Sequence, residues 1–193
     1  MRTQLHSVLS LAAVAAALAG LVAGCSSPME AAKPVAVLKD GELAVPADYK
    51  SWPKFLTAIQ RPDAKQVREI YMHPLAKGAT AAGGFPQGTV FVMENWAAQA
   101  NPDGSLVTGP DGKLVKGALQ KVFVMGKNKG WAEDFTPVEM RNGNWVYAAY
   151  MADGSKAPDN LLTCRACHAP LTSKDFVHRY DEHFAQKGSA GGY

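Results

Sequence analysis

The sequence has few cysteines and no marked excess of charge. Only Cys25, Cys164 and Cys167 occur among its 193 residues, and 20 Lys and Arg face 17 Asp and Glu. The formal net charge of +3 falls to +2 (3 − 1) once Arg2 is removed with the N-terminal segment discussed below. No arginine-rich run and no basic stripe with interleaved aromatics is present, so a nucleic-acid partner is excluded. A charged fraction of 19% beside 47% hydrophobic residues excludes a disordered chain and suits one globular domain with a real core.

The N-terminus is different in kind. "MRTQLHSVLSLAAVAAALAGLVAGC" sets Arg2 before an apolar stretch from Val8 to Ala23, uninterrupted by acid. The stretch is short for a membrane span and ends in small residues, as a secretory signal does. Residues 1–24 are therefore expected to be a signal peptide. "LVAGC" resembles the lipobox of bacterial lipoproteins, which implies that Cys25 carries lipid and opens the mature chain. The alternative is a plain secretory signal with an incidental cysteine. Residues 25–39, small and Pro-bearing, suit a flexible lipid-anchored tether. By the same resemblance, Ser26 implies sorting to the outer membrane, on the periplasmic side. With Cys25 so assigned and the other two cysteines paired in one motif, no structural disulfide is expected.

Cys164-Arg165-Ala166-Cys167-His168 has the C-x-x-C-H pattern of c-type haem attachment. One helical turn sets two thiols where the two porphyrin vinyl groups can form thioethers. It also carries the adjacent imidazole under the ring as the proximal ligand. A zinc site would want a second ligand pair at zinc spacing, and only His178 and His183 follow. A thioredoxin-like pair would want a βαβ context, and a chance match is the remaining alternative. One motif predicts one covalent haem c per chain, held by Cys164 and Cys167, with iron bound by His168.

Along residues 40–187, the recurrence of Tyr49, Trp52 and Phe55 predicts a helix. Strands are expected at Val67–Met72, Gly88–Trp96, Leu119–Lys127 and Gly143–Met151. The Gly-, Pro- and Asp-rich segment between the second and third predicts turns and a small hairpin. Helices are expected around the haem motif and at "SKDFVHRYDEHFAQ", and residues 188–193 read as a frayed tail. Strands joined by short loops predict an α+β fold, mainly an antiparallel sheet with flanking helices.

"YKSW", "VREIY", "FPQGTVFVMEN", "NWVYAAY" and the late "CRACH" with "DFVHRY" together resemble the cytochrome P-460 family, which includes the β-type cytochromes c-prime. The resemblance runs from about Gly41 to Phe184. It implies a strongly twisted antiparallel sheet with haem against it, and a homodimer. Apolar strand faces with exposed Trp and Tyr would be consistent with such pairing. Hydroxylamine-oxidising members carry, after Gly-Thr-Val-x-Val, a lysine cross-linked to the porphyrin. Here that position is Met93, and a thioether cannot form the link. Strand alternation puts Thr89, Phe91 and Met93 on one face and Val90, Val92 and Glu94 on the other.

Met93 is therefore expected to face the haem as its sixth ligand, by axial His168/Met93 coordination. Two alternatives stay open: a non-coordinating distal cap, or another ligand, Met125 first. Arg68 matches a family arginine near the distal side. It would orient a small ligand or pair with a haem propionate; otherwise it is a surface charge or part of a structural salt bridge. Glu94 is expected to be structural or at the dimer interface. His73, His178 and His183 are expected to be solvent-facing or structural. The reading is a periplasmic electron-transfer cytochrome without a catalytic residue, serving redox partners of the cell envelope and binding NO or CO. The alternative is a haem enzyme acting on hydroxylamine or nitric oxide.

Overall fold

The computed structural model describes residues 36–189. The expected signal peptide, Cys25, most of the expected tether and the last four residues lie outside them. Five antiparallel strands form one sheet in the simple order β1-β2-β3-β4-β5. They are β1 (Lys54–Arg61), β2 (Gln66–Met72), β3 (Val90–Ala98), β4 (Lys116–Lys127) and β5 (Trp145–Met151). The described residues add two α-helices, α1 (Leu161–His168) and α2 (Tyr180–Ser189). The α+β, mainly antiparallel class is thus observed.

Four of the strands are those expected from alternation. The fifth, β1, replaces the expected helix. Tyr49 lies in a single 3-10 turn, Tyr49–Ser51, and Phe55 is in the strand. The three-residue recurrence of aromatics is real, but Pro53 follows Trp52. A proline disfavours the helical conformation in the residue before it, and Trp52 is extended at ψ 154°. β1 also bulges, with register shifts on either side of Leu56 and Ala58 in the left-handed region at φ 50°. That irregularity hides its period. The segment between β3 and β4 makes two bridged turns, Ala100 with Leu106 and Thr108 with Leu114, rather than one hairpin. The second helix starts only at Tyr180, and it runs to Ser189, into the expected tail. At the other end Ala36 already packs, its carbonyl accepting from Trp131 Nε1 at 2.8 Å.

Each face of the sheet carries a core. One gathers Phe55, Met72, Phe85, Phe91, Trp145 and Tyr180 beneath the C-terminal segments. The other gathers Tyr49, Trp52, Val92, Val124, Trp131 and Val146. β5 alternates between them, Trp145 and Tyr147 to the first, Val146 and Ala148 to the second. It is an edge strand by order, yet its edge is covered. Gly41 N–H donates to the Tyr147 carbonyl, and Asp40 accepts from Tyr147 N–H. Among the described residues no Trp or Tyr is exposed, which corrects the expectation of exposed aromatics on the strand faces.

On the second face Glu69 and Glu94 stand opposite each other on β2 and β3, 5% and 1% exposed. Like charges so placed repel, so each needs its own partners. Glu94 accepts from Tyr49 Oη at 2.6 Å, Trp96 Nε1 at 3.1 Å and Tyr71 Oη at 3.4 Å, with Lys50 Nζ at 3.4 Å. Glu69 accepts from Thr57, Lys54 and Lys116. Burial pushes both carboxyls up, but these donors outweigh it and leave both below the usual value of 4.5. Glu94 is thus structural.

The folded pKa values are depressed, so the stability these groups contribute is complete above the unfolded value and is lost as pH falls through the folded one. The thermal midpoint should therefore hold at neutral pH and decline below about pH 4.5. Glu94→Gln leaves a buried donor unmet. It should cost about 1–3 kcal/mol at pH 7 and flatten the acid limb. Thermal unfolding of both proteins across pH 3–7, roughly the range spanning that titration, checks this.

Candidate functional site

The C-x-x-C-H motif forms the C-terminal five residues of α1. Asn160 caps the helix, its side chain accepting from Leu162 N–H. The motif projects Cys164, Cys167 and His168 toward a cavity of about 610 Å³. The opposite wall is the first face of the sheet. Phe91, Met93 and Asn95 of β3 alternate into it, beside Arg68 and Ile70 of β2 and Phe123 and Met125 of β4. The volume and apolar lining suit a sizeable flat cofactor with a few placed polar groups.

Cross-strand register arranges this wall in rows. Met72, Phe91, Met125 and Tyr147 form one, and Ile70, Met93, Phe123 and Ala149 the next. A third holds Arg68, Asn95, Lys121 and Met151. The first two rows are almost wholly apolar; the third is polar. β3 is the middle strand, so Met93 sits at the centre of the wall. Its expected face is the observed one. Met72 is fully buried in the core, and Met140 and Met151 do not line this cavity. The thioethers that line it are Met93 and Met125.

His168 is prepared as a ligand. Its Nδ1 lies 2.6 Å from the Phe176 carbonyl oxygen. A carbonyl only accepts, so Nδ1 carries the proton and Nε2 keeps its lone pair. Burial pushes the imidazole down to about 4, against the hydrogen bond to Phe176, and the nearby His178 lowers it further. The ring is thus neutral near pH 7. Burial also pushes the Cys164 thiol up.

The loop that presents the Phe176 carbonyl is strained. Asp175 and Phe176 both occupy the left-handed region, at φ 48° and 58°. Asp175 holds it in place. Its carboxylate accepts from Phe85 N–H at 2.8 Å and Lys127 Nζ at 2.9 Å, and its carbonyl accepts from Trp145 Nε1 at 2.9 Å. "DFVHRY" therefore acts by orienting the imidazole, a role that its spacing from the motif does not reveal.

Other residues lie at or near the site. His178 stands at the site: its Nε2 lies 3.4 Å from Cys167 Sγ, and its ring meets His168 edge-on at 4.8 Å. His183 is buried and structural, stacked on Phe55 at 4.3 Å. Tyr147 lies 5.2 Å from the His168 ring, and its buried hydroxyl has no partner among the described residues. Arg68 is half-buried rather than a surface charge. Its Nη2 donates to Gln66 at 3.2 Å, and its buried Nε has no partner among the described residues. Burial lowers its pKa, and the nearby Arg61 charge adds to this.

Arg165, the first variable residue of the motif, is no more than a spacer in the sequence pattern, yet it is fully buried. It donates from Nε at 2.6 Å and Nη2 at 2.9 Å to Asp40, and from Nη2 at 3.2 Å to the Trp145 carbonyl. Its guanidinium covers the Phe135 ring at 3.8 Å. A helix one face of which must meet a cavity needs its other face anchored, and Arg165 supplies the anchor.

Two thiols that can bond carbon, a neutral imidazole with an available lone pair and two soft thioethers converge on one apolar space. These donors fit a covalently held haem. The family model described as Cytochrome P460 matches residues 46–179. That range contains Arg68, Met93, Cys164, Cys167 and His168, and leaves out Asp40 and α2. A search of curated proteins finds no match.

Removing one partner of a buried ion pair leaves the other charge uncompensated. Arg165→Ala should lower stability by about 3–5 kcal/mol, whereas Arg165→Met with Asp40→Asn, which fills the space and keeps a neutral acceptor for Tyr147 N–H, should recover part of the loss. Denaturant unfolding of the two variants and the wild type measures both.

Proposed function

Because the chain belongs to the cytochrome P-460 family, we propose that its cavity holds one haem c, bound through thioethers to Cys164 and Cys167, with His168 as proximal iron ligand and Met93 as the sixth. The chain is a haem protein by family. The observation that carries the finer reading is that α1 and the middle of β3 line one apolar cavity, thiols and imidazole from one side and the Met93 thioether from the sheet. Bound haem supplies one-electron chemistry between ferric and ferrous iron and a binding place for NO or CO.

The chain's own residues set which of these prevails. Phe176 holds the His168 proton at Nδ1, leaving Nε2 to bind. The Met93 thioether is a soft donor that favours the ferrous state and fills the site at rest. Ile70, Phe91 and Phe123 exclude water around it. Haem held by His168 and Met93 would exchange electrons with little rearrangement, and a diatomic gas would have to compete with the Met93 thioether for it. No catalytic residue is assigned. Met93 takes the position of the family's cross-linking lysine and has no nucleophilic nitrogen, which supports electron transfer over hydroxylamine oxidation. We further propose a periplasmic protein, held at the outer membrane by lipid on Cys25, that pairs as a homodimer and exchanges electrons with envelope redox proteins.

The ferric protein should show a methionine-to-iron charge-transfer band that Met93→Ala abolishes. A band that survives the substitution would assign the ligand to Met125. With hydroxylamine and an electron acceptor, steady-state turnover should be negligible, and Met93→Lys should allow a cross-link detectable by mass spectrometry of the haem peptide. Rapid turnover by the wild type would instead make the chain an oxidase.

A further inference from the structure

Lys127 is the last residue of β4, and alternation sets it on the same face as Phe123 and Met125, which line the main cavity. Its side chain is only 14% exposed, so its charge needs partners within the protein. The Nζ lies 2.9 Å from each Asp175 carboxylate oxygen and 2.9 Å from the Phe85 carbonyl. Asp175 in turn accepts from Phe85 N–H at 2.8 Å. The end of β4, the turn before β3 and the loop after α1 are thus locked in one closed ring of hydrogen bonds.

Two glycines show how closely the loop is held. A Cβ at Gly84 would lie 2.9 Å from Asp175 Oδ2, and one at Gly143 would lie 3.2 Å from Phe176 Cε2. Both glycines also have positive φ, 70° and 56°. Asp175 and Phe176, themselves left-handed, are therefore pressed by two other segments as well as tied to β4. A buried ion pair is weak evidence for stability. What this one supplies is placement of the Phe176 carbonyl, 2.6 Å from His168 Nδ1. An acceptor on Nδ1–H raises the basicity of Nε2, the nitrogen left to bind iron.

We propose that Lys127 is a positioning residue for the haem iron: by fixing Asp175 it holds the Phe176 carbonyl on His168 Nδ1–H, strengthens donation from Nε2, and biases the haem toward the ferric state. That role rests on the haem reading, with His168 as proximal ligand, but not on Met93 as the sixth. It is opposite in sign to the direct effect of the lysine's charge, since a cation near haem favours the ferrous state. It also opposes the soft Met93 thioether, so the two sides of the cavity pull the potential in opposite directions.

The haem-loaded protein is tested by resonance Raman spectroscopy and by redox titration. In ferrous protein carrying Met93→Ala and Met125→Ala, neither thioether can fill the sixth position, and the iron–histidine stretching band reads the strength of the His168 bond. Lys127→Met should shift this band to lower frequency and, with both methionines in place, raise the reduction potential. Lys127→Arg, which keeps the charge and the donors, should leave both near their starting values. Gly84→Ala changes no charge but displaces Asp175, and it should move band and potential in the same direction as Lys127→Met. A lower potential in Lys127→Met with an unmoved band would show that the lysine acts by charge alone, and would overturn the role. A lower melting midpoint with band and potential both unmoved would overturn it too, leaving Lys127 a stabilising contact only. Absence of an iron–histidine band before Lys127 is altered would overturn the His168 reading itself, so the two failures are separable.

Discussion

The buried ion pair between Arg165 and Asp40 is the contact on which the site's geometry turns. It binds α1 to the edge of β5 and to the segment that enters the domain. Asp40 accepts from Arg165 and from Tyr147 N–H, while Gly41 N–H donates to the Tyr147 carbonyl. One carboxylate thus closes a sheet edge and neutralises a guanidinium that faces away from the cavity. Apolar replacements of such pairs are often at least as stable, so stability alone does not explain it. What the pair supplies is orientation. Because Arg165 is drawn into the protein, Cys164, Cys167 and His168 turn outward to the cavity.

The opposite wall obeys a different constraint. Strand alternation sends every second residue of β2, β3 and β4 toward the cavity, and antiparallel register aligns them in rows. The outcome is a surface graded from aromatic and thioether side chains to a polar row of Arg68, Asn95 and Lys121. The other face of the same strands buries Glu69 and Glu94, each ringed by donors. A one-residue slip of β3 would turn Met93 outward and drive Glu94 into the cavity. The donors around Glu94 therefore help to hold Met93 where it is, since they stabilise only one register.

The loop after α1 completes the arrangement. Asp175 and Phe176 adopt left-handed backbone conformations that cost energy, and the bonds from Phe85, Lys127 and Trp145 to Asp175 offset it. The loop thereby aims one carbonyl, that of Phe176, at His168 Nδ1. A strained segment beside His168 is understandable when its position decides which imidazole nitrogen is available.

Much of this was legible in the chain. The C-x-x-C-H motif brings its thiols and imidazole together because their spacing is local, fixed by one helical turn. Four strands and the inward face of Met93 came from the period of two, also a local property. β1 was not legible, because Pro53 and a bulge interrupt its pattern and the aromatic spacing imitates a helix. Arg165 as an anchor, His178 beside Cys167, and Asp175 as the support of Phe176 all depend on contacts that no local period encodes. The sequence by itself determined the donors and the faces they occupy. Only the tertiary structure decided which donors meet, since that depends on register across five strands and on the edge to which α1 is tied.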